Sequence, residues 1–296
     1  MVECRARRRL DRPTPDWPEF PVPGDEVEWR GSSSGGKVRE GVIEAVHPRK
    51  TEISRTRTGE KHVVVANLDL LVIVAPMREP QLDRGLLDRL LATAERTHIE
   101  ALVCLSKIDL VNAAEVRPMR AIYERVGYDV VETSTETGAG VDALRERLSK
   151  RKVAFMGASG AGKSRLIDNL QPGLHLRTGE VNTKSGQGRH TTTRVDLHRT
   201  EFGALLADTP GVREFNLWQL EPTALAALFR EFGRVEAHCK FAPCTHTHEP
   251  ECAIQHAAAI GAIDAGRYRS YVVLFDEIQV ESDTAAVRGP RRGKRA

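Results

Sequence analysis

The segment Gly157-Ala158-Ser159-Gly160-Ala161-Gly162-Lys163-Ser164 has the residue types and spacing to hold a polyphosphate. It matches G-x-x-x-x-G-K-[ST] and lies between an apolar, strand-like run at 153–156 and a helical stretch at 163–170, the setting that pattern requires. Glycine at 157, 160 and 162 lets backbone N–H groups approach phosphate oxygens with no Cβ in the way. The start of the helix adds partial positive charge. Lys163 then reaches the β- and γ-phosphates, Ser164 ligates Mg²⁺, and Arg165 follows them in the nucleotide-binding set. Further along, Asp208-Thr209-Pro210-Gly211 closes the apolar run 204–207. A carboxylate such as Asp208 at a strand end holds Mg²⁺ through water, and the Gly211 N–H meets the γ-phosphate.

A second set of residues has the chemistry to choose a base. Ser106-Lys107-Ile108-Asp109 follows the apolar run 101–105 and resembles the Asn-Lys-x-Asp segment that selects guanine. An aspartate at 109 accepts from the guanine N1–H and exocyclic amine, so adenine would leave buried polar groups unpaired. Ser106 stands where asparagine is usual and is shorter; a contact to the base edge or to the phosphate loop is expected to be lost, with lower affinity, while Asp109 keeps the selectivity. Thr133-Ser134-Thr135-Glu136-Thr137-Gly138, at the end of the next strand, resembles the Ser-Ala-x turn whose backbone supports guanine, and places Ser134 at the base. Ser106-Lys107-Ile108-Asp109 precedes the phosphate loop by about fifty residues, the reverse of the usual order.

Between the phosphate-loop helix and a strand expected at 195–198, residues 182–193 form a loop rich in glycine and hydroxyls. One threonine there, Thr192 or a neighbour, is expected to bind Mg²⁺ only with the γ-phosphate present, so that the loop switches between order and disorder. Val212 follows Gly211 where Ras-like enzymes place a water-orienting glutamine, and valine cannot do that work. His190 is the nearest candidate for placing the water; equally, it is a surface residue or an RNA contact. Slow intrinsic turnover, raised by a partner, is the expectation.

Cys239-x4-Cys244-x-His246-x5-Cys252 supplies four soft or borderline ligands, the complement for a closed tetrahedral Zn²⁺ with no position left for chemistry. Such a metal staples a small module whose core is thin. His238 and His248 are spare, and Cys104 reads as a small core residue. Five cysteines, three of them between 239 and 252, fit a metal site better than a disulfide framework.

These groups need a scaffold, and the rest of the 296 residues is patterned to supply one. Strands are expected at 70–75, 101–105, 130–133, 153–156 and 204–207, alternating with helices at 82–97, 113–126, 141–150 and 163–170. That alternation predicts a mainly parallel sheet covered on both faces, an α/β fold. Residues 1–68, broken by prolines and glycines, carry short alternating pieces of a small β-barrel, and 221–282 read as a helical module around the Cys/His cluster. The net charge is only +3, but arginines crowd both ends, and the stretch 283–296 reads as a disordered basic tail. Basic tails are usually solvated, yet with the domains between them an RNA partner is favoured. No apolar run approaches the length of a membrane span and the first residues lack a signal-peptide core, so a cytoplasmic protein is expected.

The motif order, Gly188-Arg189-His190-Thr191-Thr192-Thr193, Asp208-Thr209-Pro210-Gly211 and Cys239…Cys244…His246…Cys252 together resemble the circularly permuted, small-ribosomal-subunit-dependent GTPase family (RsgA or YjeQ type) over nearly the whole chain. Ala66-Asn67-Leu68-Asp69 resembles the start of that family's G domain. The resemblance implies an N-terminal OB-fold over 1–68, a permuted GTPase over 69–220 and a zinc domain over 221–282. It further implies a GTP-hydrolysing factor for late maturation of the 30S subunit that binds 16S rRNA, leaves on hydrolysis and works as a monomer. Cys4-Arg5-Ala6-Arg7 looks like the middle of the family's OB-fold, so the barrel is expected to lack its opening strands. The alternative is an RNA-binding zinc protein whose G domain senses nucleotide and hardly turns over.

Overall fold

The computed structural model of the chain describes residues 2–6, 20–31, 39–57, 60–174, 195–207, 217 and 220–288. His190, Thr192, Asp208, Gly211, Val212, Arg7, Arg8 and Arg9 near the start, and residues 289–296 at the end, lie outside the described residues.

The N-terminal part holds β1 (Val2–Ala6), β2 (Val27–Gly31) and β3 (Arg39–Val46) in a sheet ordered β1-β3-β2, with β1 parallel and β2 antiparallel to β3. A bulge at Glu28/Trp29 bends β2, as suits a strand of a small curved sheet. The hairpin of β4 (Glu52–Arg57) and β5 (Glu60–Ala66) is a separate sheet. Its buried residues Ile53 and Val65, with Leu68, pack into the core of the next part.

The central part is built on β6 (Leu70–Pro76), β7 (Glu100–Ser106), β8 (Asp129–Thr133), β9 (Lys152–Gly157), β10 (Leu197–Arg199) and β11 (Leu205–Ala207), ordered β10-β11-β9-β6-β7-β8. All pairs are parallel except β10 with β11. Every residue of β6, Leu-Leu-Val-Ile-Val-Ala-Pro, is buried, as a strand covered on both faces must be. Helices α1 (Arg84–Thr97) and α2 (Ala113–Val126) cover one face through Leu87, Leu90, Leu91, Val116 and Tyr123. Helices α3 (Val141–Leu148) and α4 (Lys163–Leu170) cover the other through Leu144, Leu148, Leu166, Ile167 and Leu170.

The expected elements are therefore present, with boundaries moved for local reasons. Helix α1 begins at Arg84 rather than 82 because the Asp83 side chain caps it, accepting from the Leu86 N–H at 3.0 Å. Helix α3 stops short of 150, where Lys150 turns to φ 60°. Asn112 and Glu115 close a capping box at the start of α2.

After Leu217 the chain forms 3-10 turns at Pro222–Ala224, Ala226–Leu228 and Glu236–His238, then α5 (Ala253–Ala259) and the long α6 (Ala265–Arg288). Helix α6 runs past 282, where the basic tail was expected to begin, because residues 283–288 contain neither glycine nor proline and Gly289-Pro290 follow only then. A third core gathers Phe229, Phe232, Tyr271, Leu274 and Ile254, and takes Ala92 from α1 and Leu217 from the segment leaving the sheet. Among the described residues no helix is long and apolar enough to cross a membrane.

Candidate functional site: a phosphate loop, a base turn and a metal cluster

The phosphate loop leaves β9 where β9 and β6 are neighbours and their following connections diverge, the crevice in which open α/β sheets hold ligands. Gly157 turns there at φ 145°, and a Cβ on it would stand 2.2 Å from the Val74 carbonyl oxygen, so this position must be glycine. Gly162, at φ 93°, opens α4 with no side-chain cap, so the positive end of the helix meets the loop. Ser159 and Gly160 are exposed at the loop's crest, with Ser164 and Arg165 exposed just beyond it. Lys163 lies across the loop, its Nζ donating to the carbonyls of Gly157 at 3.0 Å and Ala158 at 2.8 Å. Burial lowers the pKa of its ammonium. Among the described residues its hydrogen bonds go to carbonyls, and a half-buried cation so held is well disposed to receive an anion.

The base-reading segments come to the same edge. Ser106 ends β7, and its buried Oγ donates to the Ala161 carbonyl of the phosphate loop at 2.8 Å. Of the two contacts that a shorter residue put in doubt, the tie to the loop is therefore kept. Lys107 adopts a left-handed conformation, φ 58°, and its Nζ donates to the Glu79 carbonyl. Its Cε passes 3.8 Å from where a Cβ on Gly162 would be, so the base segment roofs the loop. Asp109 stands exposed in the 3-10 turn Ile108–Leu110 that follows.

Ser134 is buried, and its Oγ accepts from the N–H groups of Glu136 and Thr137, both at 3.2 Å, shaping the turn after β8. Arg165 reaches that turn and pairs with Glu136 at 2.5 Å. Cys104 is the buried core residue expected, 3.2 Å from the Thr133 hydroxyl, and burial pushes its thiol up to about 12.

Cys239, Cys244, His246 and Cys252 converge, their ligand atoms all within 4.8 Å of one another. In a zinc tetrahedron, with metal–sulfur bonds of about 2.3 Å and metal–nitrogen bonds of about 2.0 Å, sulfurs stand about 3.8 Å apart and sulfur and nitrogen about 3.5 Å. Here Cys239 and Cys252 Sγ are 3.9 Å apart, and His246 Nδ1 is 3.6 Å from Cys239 and 3.5 Å from Cys252. Burial pushes the Cys244 thiol up to about 12, with Cys252 and Cys239 adding to the rise and the His246 backbone opposing it. Cys244 therefore ionises readily only with a cation to compensate it, and with these spacings the donor set fits the metal.

The cluster is held from behind. Tyr268 and Tyr271 hydroxyls donate to the His246 and Thr245 carbonyls at 2.8 and 2.7 Å, and Glu236 lies 3.9 Å from the outer His246 nitrogen. Burial would raise the Glu249 carboxyl, but hydrogen bonds from Thr245 and the His248 backbone hold it down at about 2. His238 and His248 are exposed.

Sequence reasoning did not find the contact that fixes this module to the sheet. Arg267 of α6 is 1% exposed, as is Asp88 of α1. Its Nη1 meets Asp88 Oδ1 at 2.7 Å, while Nε and Nη2 meet the two Glu231 oxygens at 2.5 and 3.0 Å. The Tyr123 hydroxyl donates to the same Asp88 oxygen at 3.1 Å, and the guanidinium lies 5.0 Å from the Phe229 ring. Burial raises the Asp88 carboxyl's pKa against the pull of Arg267; burial also opposes the charge on Arg267, but Glu231 and Asp88 outweigh it. A charged residue at 88, beside the apolar stripe of α1, was the only sequence signal.

Comparison with known proteins gives a consistent result. The family described as RsgA GTPase matches residues 46–218. A small ribosomal subunit biogenesis GTPase RsgA from Actinobacillus pleuropneumoniae serotype 5b is 42% identical over 281 residues, 93% of this chain and 79% of that protein. A protein of Vibrio vulnificus, small ribosomal subunit biogenesis GTPase RsgA 1, is 39% identical across 100% of this chain and 82% of its own length. Among solved structures, YjeQ from Thermotoga maritima superposes with a TM-score of 0.75 at 32% identity, covering 93% of this chain and 89% of that one. YloQ, described as a circularly permuted GTPase, gives 0.72 at 25% identity, with 98% and 88% covered.

Proposed function

This chain belongs to the RsgA GTPase family, and we infer that it hydrolyses GTP as an assembly factor of the small ribosomal subunit. The observation that carries this reading is the junction of two motifs whose order along the chain is inverted. Ser106 of the base segment is hydrogen-bonded to Ala161 of the phosphate loop, so one crevice presents a phosphate cradle and a base turn together.

The proposed division of labour follows the chemistry of each group. Backbone N–H groups of 157–164 and the Lys163 ammonium hold the β- and γ-phosphates. Lys163 must give up its carbonyl contacts to do so, which is a small exchange for a charge-assisted bond to phosphate. Asp109 chooses guanine, and the Ser134 turn presents backbone to the base. Ser164, Thr192 and, through water, Asp208 would hold Mg²⁺, which would supply charge compensation during phosphoryl transfer. Gly211 meets the γ-phosphate, and His190 places the attacking water. His190→Ala is expected to reduce subunit-stimulated turnover at least tenfold with unchanged GDP affinity; unchanged turnover would remove it from the reaction.

The cation at Cys239, Cys244, His246 and Cys252 is proposed to be one structural Zn²⁺ per chain. Contact with 16S rRNA, release after hydrolysis, a monomeric state and a cytoplasmic location complete the proposal. Sedimentation with purified small subunits tests the cycle: retention with a non-hydrolysable GTP analogue and loss with GDP is expected. Equal retention with both nucleotides would contradict release by hydrolysis.

A further inference from the structure

We propose that Ser106 is a latch on the phosphate loop and leaves the N7 edge of the guanine unread. The inference rests on the reading of this crevice as a guanine-nucleotide site and adds to it how the base is, and is not, recognised.

Ser106 is 5% exposed at the end of β7, directly before the left-handed Lys107 that starts the base turn. Its Oγ lies 2.8 Å from the Ala161 carbonyl oxygen, and Ala161 is itself fully buried. A carbonyl only accepts, so the serine hydroxyl is the donor in this bond. A hydroxyl has one proton, and here it is committed. What remains on Oγ is lone pairs. Guanine presents acceptors at N7 and O6 along its major-groove edge, and two acceptors facing each other make no hydrogen bond. An asparagine amide at this position would carry two N–H donors, enough for the loop carbonyl and a base acceptor together. The serine therefore keeps the tie between base turn and phosphate loop and gives up a donor to the base. Selectivity against adenine is untouched, because it depends on Asp109 accepting from the opposite edge of the ring.

Ser106 is on this account a positioning residue: it acts on the nucleotide through Ala161. Removing its hydroxyl strands a buried carbonyl and loosens the loop, which lowers the affinity of every nucleotide alike, by about tenfold. Replacing it with asparagine restores a base contact and with it sensitivity to N7.

The test compares binding of GDP and 7-deaza-GDP, in which N7 is a C–H, to the full-length wild-type chain, Ser106→Asn and Ser106→Ala, with ADP as the base control. The wild type is expected to bind GDP and 7-deaza-GDP equally, within a factor of two. Ser106→Asn should bind GDP more tightly and prefer it to 7-deaza-GDP by about fivefold or more, as one additional hydrogen bond implies. Ser106→Ala should weaken both ligands by the same factor. A wild type that loses fivefold or more on removal of N7 overturns the inference while leaving the guanine site standing. A wild type that binds ADP as well as GDP, or neither, takes down both. The wild-type ratio decides by itself should either variant fail to fold.

Discussion

A methyl group at residue 157 would collide with the Val74 carbonyl, and Gly157 holds a backbone angle that side chains rarely adopt. Gly157→Ala is therefore expected to displace the phosphate loop from β6, lowering the melting temperature and abolishing nucleotide binding together; a stable variant with normal GDP affinity would contradict the close approach. The Cys/His cluster makes the complementary case, since its four ligand atoms converge on one point. Cys252→Ser, or a strong chelator, should release one zinc per chain and melt the module after 217, read as loss of helical circular dichroism and of zinc in elemental analysis. An unchanged spectrum in metal-free protein would show that the aromatic core of Phe229, Phe232 and Tyr271 stands without it. Both the loop and the ligand set were legible in the sequence because each is local: a glycine pattern between a strand and a helix, four donors within one short stretch. What Ser106 does was not legible. Its partner, Ala161, lies 55 positions away, and only the fold shows which of two possible contacts the serine retains.

At the scale of elements, the joint between α1 and α6 sets how the C-terminal module sits on the sheet. Arg267 is surrounded by Asp88, Glu231, Tyr123 and Phe229, and outer pairs of Arg84 with Asp264 and Arg89 with Glu277 flank it. The flanking pairs are partly exposed and contribute little. The buried pair behaves differently: removing one partner leaves a charge with no water and no counter-ion. Arg267→Met is expected to cost about 3–5 kcal/mol, lowering the melting temperature by roughly 10 °C. Pairing it with Asp88→Leu should recover part of that loss, since the more deeply buried of its two carboxylate partners is then gone while Glu231, with some access to water, remains. A single variant as stable as wild type would show that the joint is carried by apolar packing alone. The strand–helix alternation that builds the sheet was readable from periodicity, because buried parallel strands are continuous apolar runs. The joint was not, because Asp88 and Arg267 are 179 residues apart and each by itself reads as a surface charge on an amphipathic helix.

At the scale of the molecule, both flanking parts are fixed to the permuted sheet near its nucleotide edge or its strand starts. On the N-terminal side, Asn67 bridges the Gly24 carbonyl and the Lys50 N–H at 3.1 and 2.8 Å, and Asp69 accepts from the Lys152 N–H, where β9 begins, at 2.7 Å. That gives a physical role to Asn67 and Asp69 of the Ala66-Asn67-Leu68-Asp69 segment, which resembles the entry to the family's G domain. On the C-terminal side, a groove of about 710 Å³ between α1 and α6 runs up to Gly157 and Ala158 of the phosphate loop. The chain leaves the sheet after Ala207 and is anchored at Leu217 in the metal module's core. A change at the phosphates thus has short physical routes to the surfaces that would meet a ribosomal subunit.

The central claim is that this crevice turns over GTP in response to that partner. Multiple-turnover GTP hydrolysis, with and without purified small ribosomal subunits and with Lys163→Ala as the inactive control, tests it most directly. The account predicts slow turnover by the chain alone, stimulation of at least tenfold by the subunits, and none in Lys163→Ala. Tight GTP binding with negligible turnover in the presence of subunits would contradict it and support instead a metal-stapled RNA-binding protein that only senses nucleotide.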